Sequence, residues 1–143
     1  LTDRFEGYRT AMEESGLGCD PDCIFSYSPS YEEGVAAGKA IAASALKITG
    51  LVTTADICAI GIMEGARLGG LRIPTDLSVI GYDNLAVSTY TTPKLTTISQ
   101  NVIKKAETAM ELLLEKLRTG YVEQPHVQLD VELVERQSTL SLL

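Results

Sequence analysis

A single histidine, His126, serves the whole chain of 143 residues. A Ser-His-Asp triad would have to be built on that imidazole, which follows Pro125 in a polar turn with nothing beside it to orient it. Cysteine is scarce as well, with Cys19, Cys23 and Cys58 only. Structural zinc takes four Cys or His ligands, so Cys19-x3-Cys23 without a second pair argues against a metal site. The odd thiol count reads as reduced and intracellular, because Leu1-Thr2-Asp3-Arg4 is no basic leader followed by an apolar stretch. Enzyme signatures are missing: there is no G-x-S-x-G elbow and no P-loop, and Gly16-x-Gly18 lacks the third glycine of a dinucleotide fingerprint. No cofactor is called for. Small and charged residues interrupt every apolar run before it could span a bilayer, so no membrane is expected. A net charge of −7 argues against this segment clamping nucleic acid by itself, though not against a DNA-binding module elsewhere in a longer chain.

What is present suits one globular domain with a real core: 45% hydrophobic and 22% charged residues exclude a disordered chain. Phe5, Tyr8 and Met12 continue from Leu1 at helical spacing and predict a helix over 3–15, with Asp3 and Glu6 as a capping box and Gly16 or Gly18 at its end. A helix at the very start of the chain predicts further residues upstream. Residues 23–27 read as a short strand after the Asp20-Pro21-Asp22 turn. Ser30 with Glu33 opens a helix over 31–47, Ala-rich enough to lie buried against something flat. A strand over 50–54, a helix over 55–68 ending at Gly69-Gly70, and a strand over 77–82 follow. The last of these is apolar enough for burial on both faces, as in a parallel sheet. Residues 84–95 look irregular and 95–99 extended. Residues 101–118 give the strongest helical pattern, closed by Gly120. Strict alternation over 127–133 predicts a strand with one wet face near a sheet edge. The alternation of elements implies an α/β fold, a mostly parallel sheet flanked by helices.

In such sheets ligands bind beyond the carboxyl ends of the strands. Asp56 and Asp83 both follow predicted strands. Asp56 falls in the first turn of a helix, where a carboxylate complements the dipole whether or not it meets a ligand. Asp83 with Asn84 reads either as an Asx-type turn or as a ligand contact. From position alone Arg4 is a solvated charge, and Glu13-Glu14 and Glu32-Glu33 are wet helix faces.

Four segments, DRFEGYRTAMEESGL, TTADICAIGIMEGARLGGLRIP, TDLSVIGYDNLAVSTYTTPKLTTISQ and LDVELVERQSTL, resemble, in that order, the effector-binding core of the lactose repressor/galactose repressor (LacI/GalR) family of bacterial transcription regulators. The resemblance implies a periplasmic-binding-protein-like (type I) fold of two α/β lobes around a sugar or other small effector, of which this chain is a half-domain. Residues 1–98 and 127–143 would form most of the C-terminal lobe, without its first strand. The helix over 101–119 belongs, in the family, to the other lobe. Also implied are a homodimer, cytoplasmic location, and operator DNA bound only through an N-terminal helix-turn-helix absent from this chain. Arg4 matches the effector-binding arginine of the family's R-x-x-G. Asp83 matches the acid of its G-[YF]-D, which accepts effector hydroxyls. Asp56 matches the second residue of an N-D pair whose first is here Ala55, so a contacting amide is lost and Asp56 reads as a helix-start and positioning residue. Pro29 stands where many members stack an aromatic on the ligand, with Tyr27 or Tyr31 as substitutes. Ala106 replaces a usual glycine. The rival readings are a periplasmic solute-binding protein of the same fold, and an enzyme or phospho-acceptor domain using Asp83. The second rival lacks the acids after its first strand and the late lysine that a receiver domain needs.

Overall fold

The computed structural model describes residues 2–141. Helix α1, Thr2–Glu14, is already under way at Thr2, so Asp3 lies inside its first turn rather than capping it. Leu1, at the head of the predicted apolar face, lies outside the described residues. Gly16 closes the helix at φ +69, with its amide on Glu13 O and that of Leu17 on Met12 O. This left-handed closure satisfies the last carbonyls and suits a residue without Cβ.

The predicted strand over 23–27 does not form. Pro21–Cys23 is a 3-10 turn and residues 24–27 run on without a ladder, leaving Ile24 and Tyr27 exposed. A strand exists only through its hydrogen-bonded neighbour, and none of the described residues supplies one here. Helix α2, Tyr31–Ala43, starts as predicted: Ser30 Oγ accepts the Glu33 amide at 3.2 Å. It stops earlier than Lys47, at Ser44, and it lies not on a flat sheet but along α3, Asp56–Leu68. The glycines explain this. A Cβ on Gly34, Gly38, Gly61 or Gly65 would overlap backbone of the facing helix, so the two helices touch main chain to main chain.

The sheet has the order β1 (Gly50–Val52), β2 (Ser78–Tyr82), β3 (Thr96–Ser99), β4 (Glu132–Val134). The first two pairings are parallel and the last antiparallel, which matches the mostly parallel sheet expected. β1 ends at Val52, although the Thr53 amide still reaches Ile80 O at 2.9 Å. In β2 only Val79 and Gly81 are buried. Ile80 on the opposite face stays half-exposed, so burial on both faces was too much to expect. Of the alternating stretch 127–133, pairing begins only at Glu132. Residues 84–95, expected to be irregular, include a 3-10 turn over Ala86–Thr89.

The core joins Ala37 and Ile41 of α2, Ala59, Ile62, Met63 and Ala66 of α3, and Leu77, Val79 and Leu95 around the sheet. Helix α4, Val102–Thr119, is capped by Asn101 Oδ1 and closed by Gly120 at φ +75, yet none of its residues is buried. Ile103, Met110, Leu113 and Leu117 form an exposed apolar stripe. No helix among the described residues is long and apolar enough to cross a membrane.

Candidate functional site

The carboxyl ends of β1 and β2 gather most of the residues singled out in the sequence. β1 runs into Thr53, whose hydroxyl donates to Ala55 O and Ile80 O and so ties the strand end to β2. Ala55 then sits at the N-cap of α3 in extended conformation (φ −157, ψ 142), with no side-chain cap for the helix.

Asp56, the first residue of α3, is fully buried. Its Oδ1 accepts the Thr97 hydroxyl at 2.5 Å and its Oδ2 the Leu85 amide at 2.7 Å. Burial pushes its carboxyl above the usual carboxylate value, and the two hydrogen bonds pull it back. The neighbouring Asp83 charge raises it further and Arg136 lowers it. With both oxygens engaged and no exposed surface, Asp56 ties α3 to β3 and to the turn after β2. Gly81 is the close neighbour that permits this, since a Cβ there would overlap Asp56 Oδ1.

Asp83 follows β2 directly and is half-exposed. Its amide donates to Ile98 O at 2.9 Å and its Oδ1 accepts the Gln100 amide at 2.6 Å. Asp83 (φ 116) and Asn84 (φ 54) both take positive φ, where side-chain residues are rare. Arg4 reaches the same end of the sheet from α1. Its guanidinium donates to Thr54 O at 2.8 Å and lies 3.7 Å from the centroid of the Tyr82 ring, one residue before Asp83. Although exposed, Arg4 is therefore held in place, a better-defined position than that of a solvated surface charge.

Pro29 is exposed in the bend before α2, with Tyr27 and Tyr31 also partly exposed on either side. Among the described residues no hydrogen bond or cation–π contact joins any of the three to Arg4 or Asp83. Two open grooves lie elsewhere, between α4 and residues 123–129, both lined by Thr108, Leu112 and Val127. They hold none of the strand-end residues.

Three participants escape sequence reasoning: Thr97 on Asp56, Gln100 and Arg136. Gln100 reaches Asp83 from the end of β3, and Arg136 reaches Asn84 Oδ1 at 2.6 Å from beyond β4. The partners are 41, 17 and 52 residues apart, and nothing local in the sequence marks any of these pairings.

The family described as the periplasmic binding protein-like domain matches residues 2–139. The chain belongs to this family. Among curated proteins it is 36% identical over 141 residues to the HTH-type transcriptional regulator MalR of Clostridium butyricum, covering 97% of this chain and 41% of that protein. Among solved structures it matches a LacI-type transcription regulator from Bifidobacterium animalis subsp. lactis with TM-score 0.90 and 30% identity, over 96% of this chain and 50% of the other. It also matches a LacI family transcriptional regulator from Enterococcus faecium with bound ribose, at TM-score 0.85 and 31% identity, over 95% of this chain and 50% of the other. These relatives bear out the LacI/GalR resemblance and the half-domain of periplasmic-binding-protein-like fold. The chain spans about two fifths of the length of the curated regulator.

Proposed function

We propose that this chain is the effector-sensing part of a LacI-type transcriptional regulator. Its effector is a small polyol, a carbohydrate first of all. The observation that carries this reading is the pairing of chemistries at one sheet end. Arg4 is held on Thr54 and Tyr82 and offers a donor fork. Asp83, next to Tyr82, offers a half-exposed carboxylate acceptor. A guanidinium donor and a carboxylate acceptor at one end of a sheet suit hydroxyl-rich ligands. The Enterococcus faecium neighbour with bound ribose supports the same ligand class.

In the intact protein the exposed α4 stripe would lie in the second lobe, and the protein would work as a homodimer in the cytoplasm without catalysing a reaction. Operator DNA would be held by an N-terminal helix-turn-helix. Effector would shift the balance between two lobe arrangements in proportion to its differential affinity for them.

A thermal-shift screen of the intact protein against pentoses, hexoses, disaccharides, nucleosides and small carboxylic acids tests this. A ligand at 100 times its Kd stabilises the native state by about 2.7 kcal/mol, a rise of several degrees. The proposal expects such a rise with at least one saccharide. It is defeated if only nucleosides or acids shift the midpoint, or if nothing does at millimolar concentration.

A further inference from the structure

The turn that carries Asp83 is held from behind by one guanidinium. Arg136 Nη2 donates to Asn84 Oδ1 at 2.6 Å, and Nη1 donates to Ser88 Oγ at 2.8 Å and to Leu95 O at 2.7 Å. The Arg136 amide is itself fixed on Thr96 Oγ1 at 2.9 Å. All three guanidinium acceptors are neutral, so the group is placed by geometry rather than by a direct ion pair.

The turn needs such a hold. Two successive residues with side chains, Asp83 and Asn84, stand at positive φ. Sparsely populated backbone of this kind persists only where its surroundings over-determine it. Three amides help: Asp83 N on Ile98 O, Asn84 N on Thr97 Oγ1, and Leu85 N on Asp56 Oδ2. The Asn84 side chain has Arg136 as its clamp. Gln100 holds the Asp83 carboxylate directly, at 2.6 Å, and Arg136 holds the backbone that carries it; without the clamp that backbone loosens and the aim of the carboxylate loosens with it.

We propose that Arg136 is a positioning residue for Asp83, acting through Asn84 to aim the carboxylate that meets the effector. This rests on the reading of Asp83 as an effector acceptor. Lysine cannot replace Arg136 in this role, since a single ammonium cannot span acceptors on two sides as the planar fork does. A purely structural rivet predicts a general loss of stability. A positioning residue predicts a loss that runs through Asp83.

The test uses the full-length regulator as wild type, Arg136→Lys, Asn84→Gly, Asp83→Asn, and the double variant Arg136→Lys/Asp83→Asn. Glycine at 84 removes the acceptor while keeping positive φ accessible. One readout is amide hydrogen exchange, comparing residues 83–85 with the interior of α3. The other is calorimetric titration with ribose as probe. Arg136→Lys is expected to speed exchange at 83–85 about tenfold, with α3 unchanged, and to weaken ribose about tenfold. In the Asp83→Asn background it should weaken ribose no further, because interacting sites are not additive. Asn84→Gly should behave like Arg136→Lys, and it carries the test if the arginine variant does not fold.

Unchanged exchange in both variants overturns the proposal. So does a ribose loss that adds fully to that of Asp83→Asn. If wild type takes up no ribose, ribose is not the effector, a separate failure, and the exchange experiment alone decides on the clamp.

Discussion

Asp56 at the start of α3 and Thr97 in β3 share a hydrogen bond of 2.5 Å across 41 residues of sequence. The second Asp56 oxygen takes the Leu85 amide, so one buried carboxylate fixes a helix start, a central strand and the turn after β2 relative to one another. The acid that on sequence grounds looked like a helix-start residue is thus also the joint on which Asp83 is hung.

Removing that joint should be expensive. Asp56→Ala leaves the Leu85 amide and the Thr97 hydroxyl without their partner in a buried site. Hydrogen bonds to charged groups are worth about 1.5–3 kcal/mol each, partly offset here by relief of the buried charge. A loss of roughly 2–4 kcal/mol is expected in urea unfolding, read as a lower midpoint at unchanged slope. A change under about 0.5 kcal/mol would show that the joint is not structural.

The same residue gives a pH signature. Its folded carboxyl titrates above the usual value, burial being the largest cause. The folded state therefore holds the proton more tightly than the unfolded chain does. This stabilising difference is complete below the unfolded value and is lost as pH rises through the folded one. Asp56→Asn does not titrate and keeps an acceptor for Leu85. Stability of wild type relative to Asp56→Asn should accordingly rise as pH falls from neutral, and level off below the ordinary carboxylate value. A ratio independent of pH, or one that falls on acidification, contradicts the shift.

Gly81 offers an independent check on the same packing. Its Cβ position is taken by the Asp56 carboxylate, with Leu95 close behind. Gly81→Ala must push one of them aside, and overpacking of this kind costs about 1–3 kcal/mol. If the damage is local to Asp56, Gly81→Ala should cost much less in an Asp56→Ala background, a coupling that a double-mutant cycle measures directly.

Elements whose signals are local could be read from the sequence. Ser30, Gly16 and Gly120 mark helix ends through bonds only a few residues long, α4 carries its own periodicity and β2 its own apolar run. Residues 23–27 carry strand chemistry too, but pairing is a property of two segments, and the partner is not among the described residues. The alternation runs unbroken over 127–133, yet only residues from 132 on find β3 alongside. The site divides in the same way. Asp83 was legible because it ends a strand, and Asp56 because it starts a helix. Arg136, Gln100 and Thr97 were not, because their roles rest on partners 17 to 52 residues away. Arg4 looked like a surface charge for the same reason: Thr54 and Tyr82 come to it only through the fold.

Ala55 is a place where the chain can be improved. It has the extended backbone of an N-cap but no side chain to accept an amide from the first turn of α3. Asparagine or serine there supplies the acceptor, a change worth about 1 kcal/mol relative to alanine. Ala55→Asn and Ala55→Ser should raise the unfolding midpoint, whereas Ala55→Val should not. Equal midpoints for all three would mean that solvent already caps this helix adequately.

The sharpest exposure of the functional reading is the pair Arg4 and Asp83. A charged group that loses its hydrogen bond to a bound ligand forfeits about 1.5–3 kcal/mol, which is roughly tenfold to more than a hundredfold in affinity. In the intact protein Arg4→Ala and Asp83→Asn should each weaken the saccharide found by thermal shift by about that factor. Unfolding midpoints should move little for Arg4, which is exposed and, among the described residues, bonded to the Thr54 carbonyl and stacked on the Tyr82 ring. Asp83→Asn keeps an acceptor for Gln100 and the same backbone amide bond to Ile98, so its fold should hold as well. Glu13→Gln, on the wet face of α1, is the control and should bind as wild type does. Calorimetric titration separates the outcomes. Wild-type affinity in both pocket variants would remove Arg4 and Asp83 from the effector site. Loss of binding together with loss of folding would make them structural. Loss of binding alone, in a protein that still melts where wild type does, is the result that the held guanidinium and the strand-end carboxylate lead one to expect.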